Sequence, residues 1–207
     1  MLIGLGLFLA LLVGCVAWRL LARRYCVPWP HWLSFWLRNP YMLLFCHPDS
    51  LIQRLSLRDG DTVLDIGCGA GRVAIPLAKA YPNCRVIGID IQPGMIAKAK
   101  KRANAESVQN IQWILQDIRR LEAGTSTFDR IMIVTVLGEF PDYPKLFPVL
   151  KQLLNQDGIL SITEVLPDPC YITESSLIDE LSRCGFVVDR AYRNPVAYTC
   201  HFKVLSA

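Results

Sequence analysis

The sequence predicts an α/β fold: a mostly parallel sheet with helices on both faces and a C-terminal antiparallel hairpin, preceded by one N-terminal transmembrane helix. Three observations predict it. From residue 50 onward, short β-branched runs alternate with longer amphipathic stretches, the pattern of a parallel sheet. Only residues 193–196 separate the last two strand-like runs, too few for a crossover helix, so those runs pair antiparallel. Residues 1–18 carry no charge.

At ~1.5 Å per residue that uncharged run gives roughly 27 Å of helix, close to the ~30 Å hydrocarbon core of a bilayer. Snorkelling of Arg19 extends the span to residue 22. Arg19, Arg23 and Arg24 follow the apolar run and no base precedes it. The positive-inside rule then orients a single-pass protein with its body in the cytoplasm. Leu12-Val13-Gly14-Cys15 resembles a bacterial lipoprotein cleavage box, but the missing basic n-region argues against cleavage. Residues 23–49 read as an interfacial linker, broken by Pro28, Pro30 and Pro40. Trp18, Trp29, Trp32 and Trp36 suit the headgroup region there; equally, Trp32, Phe35 and Trp36 suit a helix packed on the body. Residues 50–207 form the main domain.

In that domain the expected strands are Thr62–Ile66, Arg85–Ile89, Ile111–Leu115, Arg130–Thr135 and Ile159–Thr163. Helical stretches fall near Arg72–Ala80, Pro93–Ala105, Tyr143–Leu154 and Thr173–Cys184. Phe186–Tyr192 and Ala197–Leu205 make the closing hairpin, with Asn194-Pro195 as its turn.

Composition excludes several classes. Of 207 residues, 52% are hydrophobic and 19% charged, which excludes a disordered chain. The 22 Lys and Arg outnumber the 18 Asp and Glu only because residues 1–40 hold four arginines and no acid. A balanced body argues against nucleic acid as a partner. The eight cysteines include no C-x-x-C, and the three histidines lie near no cysteine pair, so neither a disulfide framework nor a metal site is expected.

Val63-Leu64-Asp65-Ile66-Gly67-Cys68-Gly69-Ala70-Gly71-Arg72 reads as a buried strand, a glycine-rich turn and a helix start. Glycines let the backbone turn sharply and approach a ligand closely, and the free N–H groups of a helix start face it. Asp90 ends the next strand, nineteen residues after Gly71, where an acid can accept both hydroxyls of a ribose. A dinucleotide fingerprint would need its third glycine at position 72, which is Arg72.

With this spacing, residues 63–71 resemble the first motif of the class I S-adenosylmethionine-dependent methyltransferases, a Rossmann-like family, and the likeness extends over roughly residues 50–207. The resemblance implies S-adenosylmethionine as cofactor. It puts Asp65, Gly67, Cys68, Gly69 and Gly71 beside the methionine portion, Asp90 with Ile91 at the ribose, Asp117 at the adenine amine, and the Ile118 amide at a ring nitrogen. Phe128–Met132 and Leu154–Leu160 match the family's fourth strand and the loop into the fifth. For Asp117 a helix cap is the plain alternative.

A general base is needed only for an acceptor that arrives protonated. Glu139 and Glu164, after the fourth strand and at the end of the fifth, are the candidates, and either also reads as an exposed loop carboxylate. His47 precedes the domain as a cleft cover or part of a His-Pro turn. The Asn/Asp-Pro-Pro-aromatic motif of amino-methylating nucleic-acid enzymes is absent, since Thr135-Val136-Leu137-Gly138 stands there. The Thr163–Tyr171 stretch looks like the acidic, proline-rich loop of members acting on quinone precursors. The expected activity is therefore methyl transfer to a small or lipidic, quinone-like acceptor at a membrane. A non-catalytic scaffold retaining the fold and an NAD-linked reductase are the alternatives.

Overall fold

The computed structural model describes residues 40–121, 127–166 and 168–205. The expected span at 1–22, its arginines and the four clustered tryptophans lie outside these residues. Among the described residues no helix is long and apolar enough to cross a membrane.

In chain order come α1 (Pro40–Phe45), α2 (Pro48–Arg54), β1 (Thr62–Ile66), α3 (Ala74–Ala80), β2 (Arg85–Asp90), α4 (Pro93–Ala105) and β3 (Ile111–Leu115). Then follow β4 (Phe128–Val134), α5 (Phe147–Leu153), β5 (Leu154–Val165), α6 (Glu174–Arg183), β6 (Phe186–Arg193) and β7 (Ala197–Val204). The seven strands form one sheet in the order β3-β2-β1-β4-β5-β7-β6. β1 to β5 run parallel, while β7 pairs antiparallel with β5 and β6 with β7. The order reverses between β1 and β4, so their following loops diverge and open a crevice at the carboxyl ends.

Both sheet faces are covered, which is why the central strands read as continuous apolar runs. Leu64, Ile66, Ile131, Ile133, Leu160 and Ile162 point to one core with Leu150, Leu153, Leu177 and Leu181. Val63, Val86 and Met132 point to the other, with Ala74, Leu77, Leu51 and Leu55.

Of the expected interfacial linker, residues 40–49 are described, and they contribute to this second core: Met42 and Cys46 are buried there beside Leu51, Ile52 and Leu55. Pro48 starts α2, and the His47 Nδ1 accepts the Asp49 amide at 3.2 Å, so His47 is a helix cap. Buried Arg130 fastens the segment to the sheet, donating to the Leu55 carbonyl at 2.9 Å and the Ser56 carbonyl at 3.1 Å and pairing with Asp61 at 3.5 Å.

Two expected helices differ. The first starts at Ala74 and not Arg72, because left-handed Gly69 and Gly71 prolong the turn (φ 53° and 74°). The stretch from Tyr143 splits at its prolines into a 3₁₀ turn, Tyr143–Leu146, and α5. β5 is correspondingly longer than expected and starts at Leu154.

Candidate active site

β1 ends at Ile66 and the chain turns through Gly67 at φ 68°, a left-handed backbone that favours glycine. A Cβ there would lie 2.7 Å from both Val136 methyls, so the loops after β1 and β4 meet at this point. At Gly69 a Cβ would meet only the Met95 sulfur, at 3.9 Å, and the backbone is open to a ligand. Gly71 does different work: its Cβ would press on Ile75 at 2.7 Å and Trp113 at 2.9 Å. Trp113 also lies over Gly88, where a Cβ would sit 2.6 Å from the ring. Both glycines give the indole room against the sheet.

The loop is clamped from three sides. Asp90 Oδ2 accepts the Gly69 amide at 2.9 Å and its Oδ1 the Gln92 amide at 2.8 Å. Arg102 donates to the Ala70 carbonyl at 2.5 Å, and Arg72 to the Cys46 carbonyl at 2.8 Å. Burial raises the Asp90 pKa against these amide donors. Asp65 lies deeper and accepts the Ala74 amide, capping α3 from the strand below. Burial pushes its carboxyl up to about 8, with Asp90 adding to the rise and Arg72 opposing it.

A cavity of about 230 Å³ opens in the crevice. Gly67, Asp90, Ile91, Asp117 and Ile118, all expected at the cofactor, line it, as does Glu139. Asp65, Cys68, Gly69 and Gly71 are outside that lining. Glu164 is also outside it and is 1% exposed, which corrects the exposed-loop alternative for that residue. Sequence reasoning missed Gln92, Arg119, Val136, Phe140 and Pro141, which belong to the loops closing the cavity.

Asp117 fills two roles. Its Oδ1 accepts the Arg119 amide at 3.0 Å, capping the 3₁₀ turn Ile118–Arg120, and its carboxylate pairs with the Arg119 guanidinium at 2.5 Å. Those hydrogen bonds hold its pKa below the ordinary carboxylate range. Among the described residues no cluster of His, Cys, Asp and Glu is arranged to hold a metal ion.

Residues 63–158 match the family model for a methyltransferase domain. The trans-aconitate 2-methyltransferase of Escherichia coli O157:H7 is 30% identical over 75% of this chain, and the chain spans 59% of that relative's length. A crystal structure of an S-adenosylmethionine-dependent methyltransferase from Aquifex aeolicus superposes with a TM-score of 0.77 at 22% identity, covering 86% of this chain and all of the other. The magnesium protoporphyrin IX methyltransferase of Synechocystis PCC 6803, solved with S-adenosylmethionine bound, gives 0.64 at 24% identity over 77% of this chain and 78% of that one.

A doubly covered sheet with a glycine loop at its switch point defines a nucleoside-cofactor domain. The comparisons make the class particular: residues 63–158 match a methyltransferase domain, and the fold is that of the S-adenosylmethionine-dependent methyltransferases, a likeness that points to S-adenosylmethionine as the cofactor. The residues present fit that group. The loop backbone is open at Gly69, Asp90 brings a carboxylate to the cavity wall, and Ile91 and Ile118 supply apolar sides. Asp90 and the glycine loop would hold its ribose and amino-acid portions, and Asp117 with Ile118 its base.

Proposed function

We propose that the protein transfers a methyl group from S-adenosylmethionine to a small or lipidic acceptor at a membrane, with residues 1–22 spanning the bilayer and the domain on the cytoplasmic side. One observation carries the transfer reading: a single cavity joins Gly67, Asp90 and Asp117 on one wall to Val136, Glu139 and Phe140 on the other. The sulfonium brings an already activated methyl group, so the chain's own work is to bind, orient and exclude water. Apolar Val136, Phe140 and Pro141 serve that exclusion.

The membrane context draws support from α1. Leu43 is 42% exposed and Leu44 is 74% exposed, on a helix within the stretch that the sequence assigns to the interface. The Tyr41 hydroxyl on the same helix donates to the Leu166 carbonyl, where β5 leads into the proline-rich stretch that ends at Tyr171. An acceptor held in a bilayer would reach the enzyme by lateral diffusion.

The test is transfer of labelled methyl by the full chain in vesicles made from a lipid extract. Label in the lipid phase is the expected result. Label only in water-soluble products removes the lipidic acceptor. S-adenosylhomocysteine binding with no transfer at all favours a non-catalytic scaffold, and protection against unfolding by NADH instead of S-adenosylhomocysteine favours a reductase.

A further inference from the structure

Asp117 and Arg119 both line the cavity, at the end assigned to the base. Arg119 engages both oxygens of the Asp117 carboxylate. Oδ1 accepts the Arg119 amide and its Nε, each at 3.0 Å, and Oδ2 accepts the same Nε at 3.0 Å and Nη2 at 2.5 Å. An ionised carboxylate offers about four lone-pair directions, so this one residue takes up every one of them. The acid assigned to the amine of the base is already engaged by another donor.

Only part of that engagement is structural. The Arg119 amide caps the 3₁₀ turn Ile118–Arg120, a contact that any residue except proline can make. The same turn is held by the Arg120 amide on the Asp117 carbonyl at 2.9 Å and the Leu121 amide on the Ile118 carbonyl at 3.0 Å. The Gln116 side chain also donates to the Arg120 carbonyl, at 2.9 Å. None of these bonds uses the guanidinium. The Arg119 side chain is 50% exposed, against 21% for Asp117, so the arginine can leave for water at small cost while the backbone keeps the carboxylate in place.

We propose that Arg119 is an internal competitor for the base-binding carboxylate: its guanidinium and the exocyclic amine of adenine take the same oxygens of Asp117 in turn, one leaving as the other arrives. This rests on the methyltransferase reading and deepens it with a residue that sets cofactor affinity. An exposed ion pair is worth little, which makes the competition mild and reversible. The exchange runs backward as S-adenosylhomocysteine leaves, when the guanidinium retakes the acid.

The competition acts on one kind of ligand. A base with an amine at this point gains Asp117 only by displacing the guanidinium. A base with a bare C–H there leaves the pair intact and loses nothing. Arg119 therefore narrows the lead of an adenine compound over its amine-free counterpart.

The test is calorimetry on the full chain in nonionic micelles. The probes are S-adenosylhomocysteine and its analogue with unsubstituted purine in place of adenine. In Arg119→Met, S-adenosylhomocysteine is expected to bind more tightly by roughly two- to five-fold, the reach of an exposed ion pair, while the purine analogue keeps the parent's affinity and reports that the variant is folded. Arg119→Lys, with a single ammonium in place of the fork, is expected to fall between Arg119→Met and the parent. Asp117→Ala is expected to weaken S-adenosylhomocysteine, and adding Arg119→Met to it to gain nothing, since the competitor then has no acid to hold. Unchanged or weaker S-adenosylhomocysteine binding in Arg119→Met overturns the inference. An equal gain for both probes, or the same gain in the Asp117→Ala background, overturns it as well, because the side chain would then only obstruct the cavity. If S-adenosylhomocysteine does not bind the parent chain, the methyltransferase reading falls and takes the inference with it.

Discussion

The Asp90 carboxylate accepts the Gly69 amide at 2.9 Å, joining the end of β2 to the glycine loop after β1. The two strands are parallel neighbours with Ile66 opposite Ile89, so Asp90 comes level with the first residue of the loop. The acid that faces the cavity is thereby also the brace that shapes the loop, and ligand affinity and loop geometry depend on one side chain.

Asp90→Ala is expected to weaken S-adenosylhomocysteine binding by roughly 1–3 kcal/mol, the loss typical when charge-assisted hydrogen bonds disappear. Two backbone donors, Gly69 and Gln92, also lose their acceptor. Calorimetry reads this directly. Affinity equal to the parent's means that Asp90 only braces the loop.

That double use was half legible. The order of strand, glycine turn, helix and terminal acid announced the crevice, because Gly67, Gly69 and Asp90 follow from chain geometry at fixed spacing. Apart from β5, which starts five residues early, the strand ranges came within two residues for the same reason: β-branched runs are local signals. Arg119 folding back on Asp117 depends on a 3₁₀ turn, and the cavity wall at Val136, Phe140 and Pro141 on where the loop after β4 lands. Neither has a local pattern. The burial of Glu164 was hidden too, since it depends on which distant segments the fold packs over the end of β5.

The indole of Trp113 gives a second test. Gly88→Ala puts a Cβ within 2.6 Å of that ring, and overpacking of this kind costs about 1–3 kcal/mol. In a Trp113→Leu background the same substitution is expected to cost markedly less. Urea unfolding of the four proteins of this cycle gives the coupling. Equal costs in both backgrounds mean that Trp113 is not what requires glycine at 88.

Asp65 is 3% exposed and its carboxyl is pushed up to about 8, so the folded protein holds a proton that the unfolded chain releases near 3.8. For a raised acid, the folded state binds more protons between these values. Its contribution to stability therefore falls as pH rises from about 4 to about 8, by up to about 6 kcal/mol at ~1.4 kcal/mol per pKa unit. Asp65→Asn keeps the shape without the ionisation. Unfolding midpoints at pH 6.5 and 8 are expected to converge in the variant relative to the parent; an unchanged difference assigns the slope to other groups.

His201 works in the opposite direction. It is buried on β7 with Nε2 unpartnered, and burial pushes its pKa from 6.5 down to about 4. Asp189 opposes that shift, while Arg190, Arg130 and Arg54 reinforce it. The folded state keeps this imidazole neutral where the unfolded chain protonates it. Stability from this group is fully present above pH 6.5 and is lost as pH falls toward 4, by up to about 3 kcal/mol. Acidification thus strengthens the fold through Asp65 and weakens it through His201, and the parent's pH profile shows only their sum. His201→Gln is expected to remove the acid-side loss while leaving the slope above pH 6.5 in place, as read by urea unfolding between pH 4 and 8. If the variant weakens in acid as steeply as the parent, the buried carboxylates and not His201 set the acid limit.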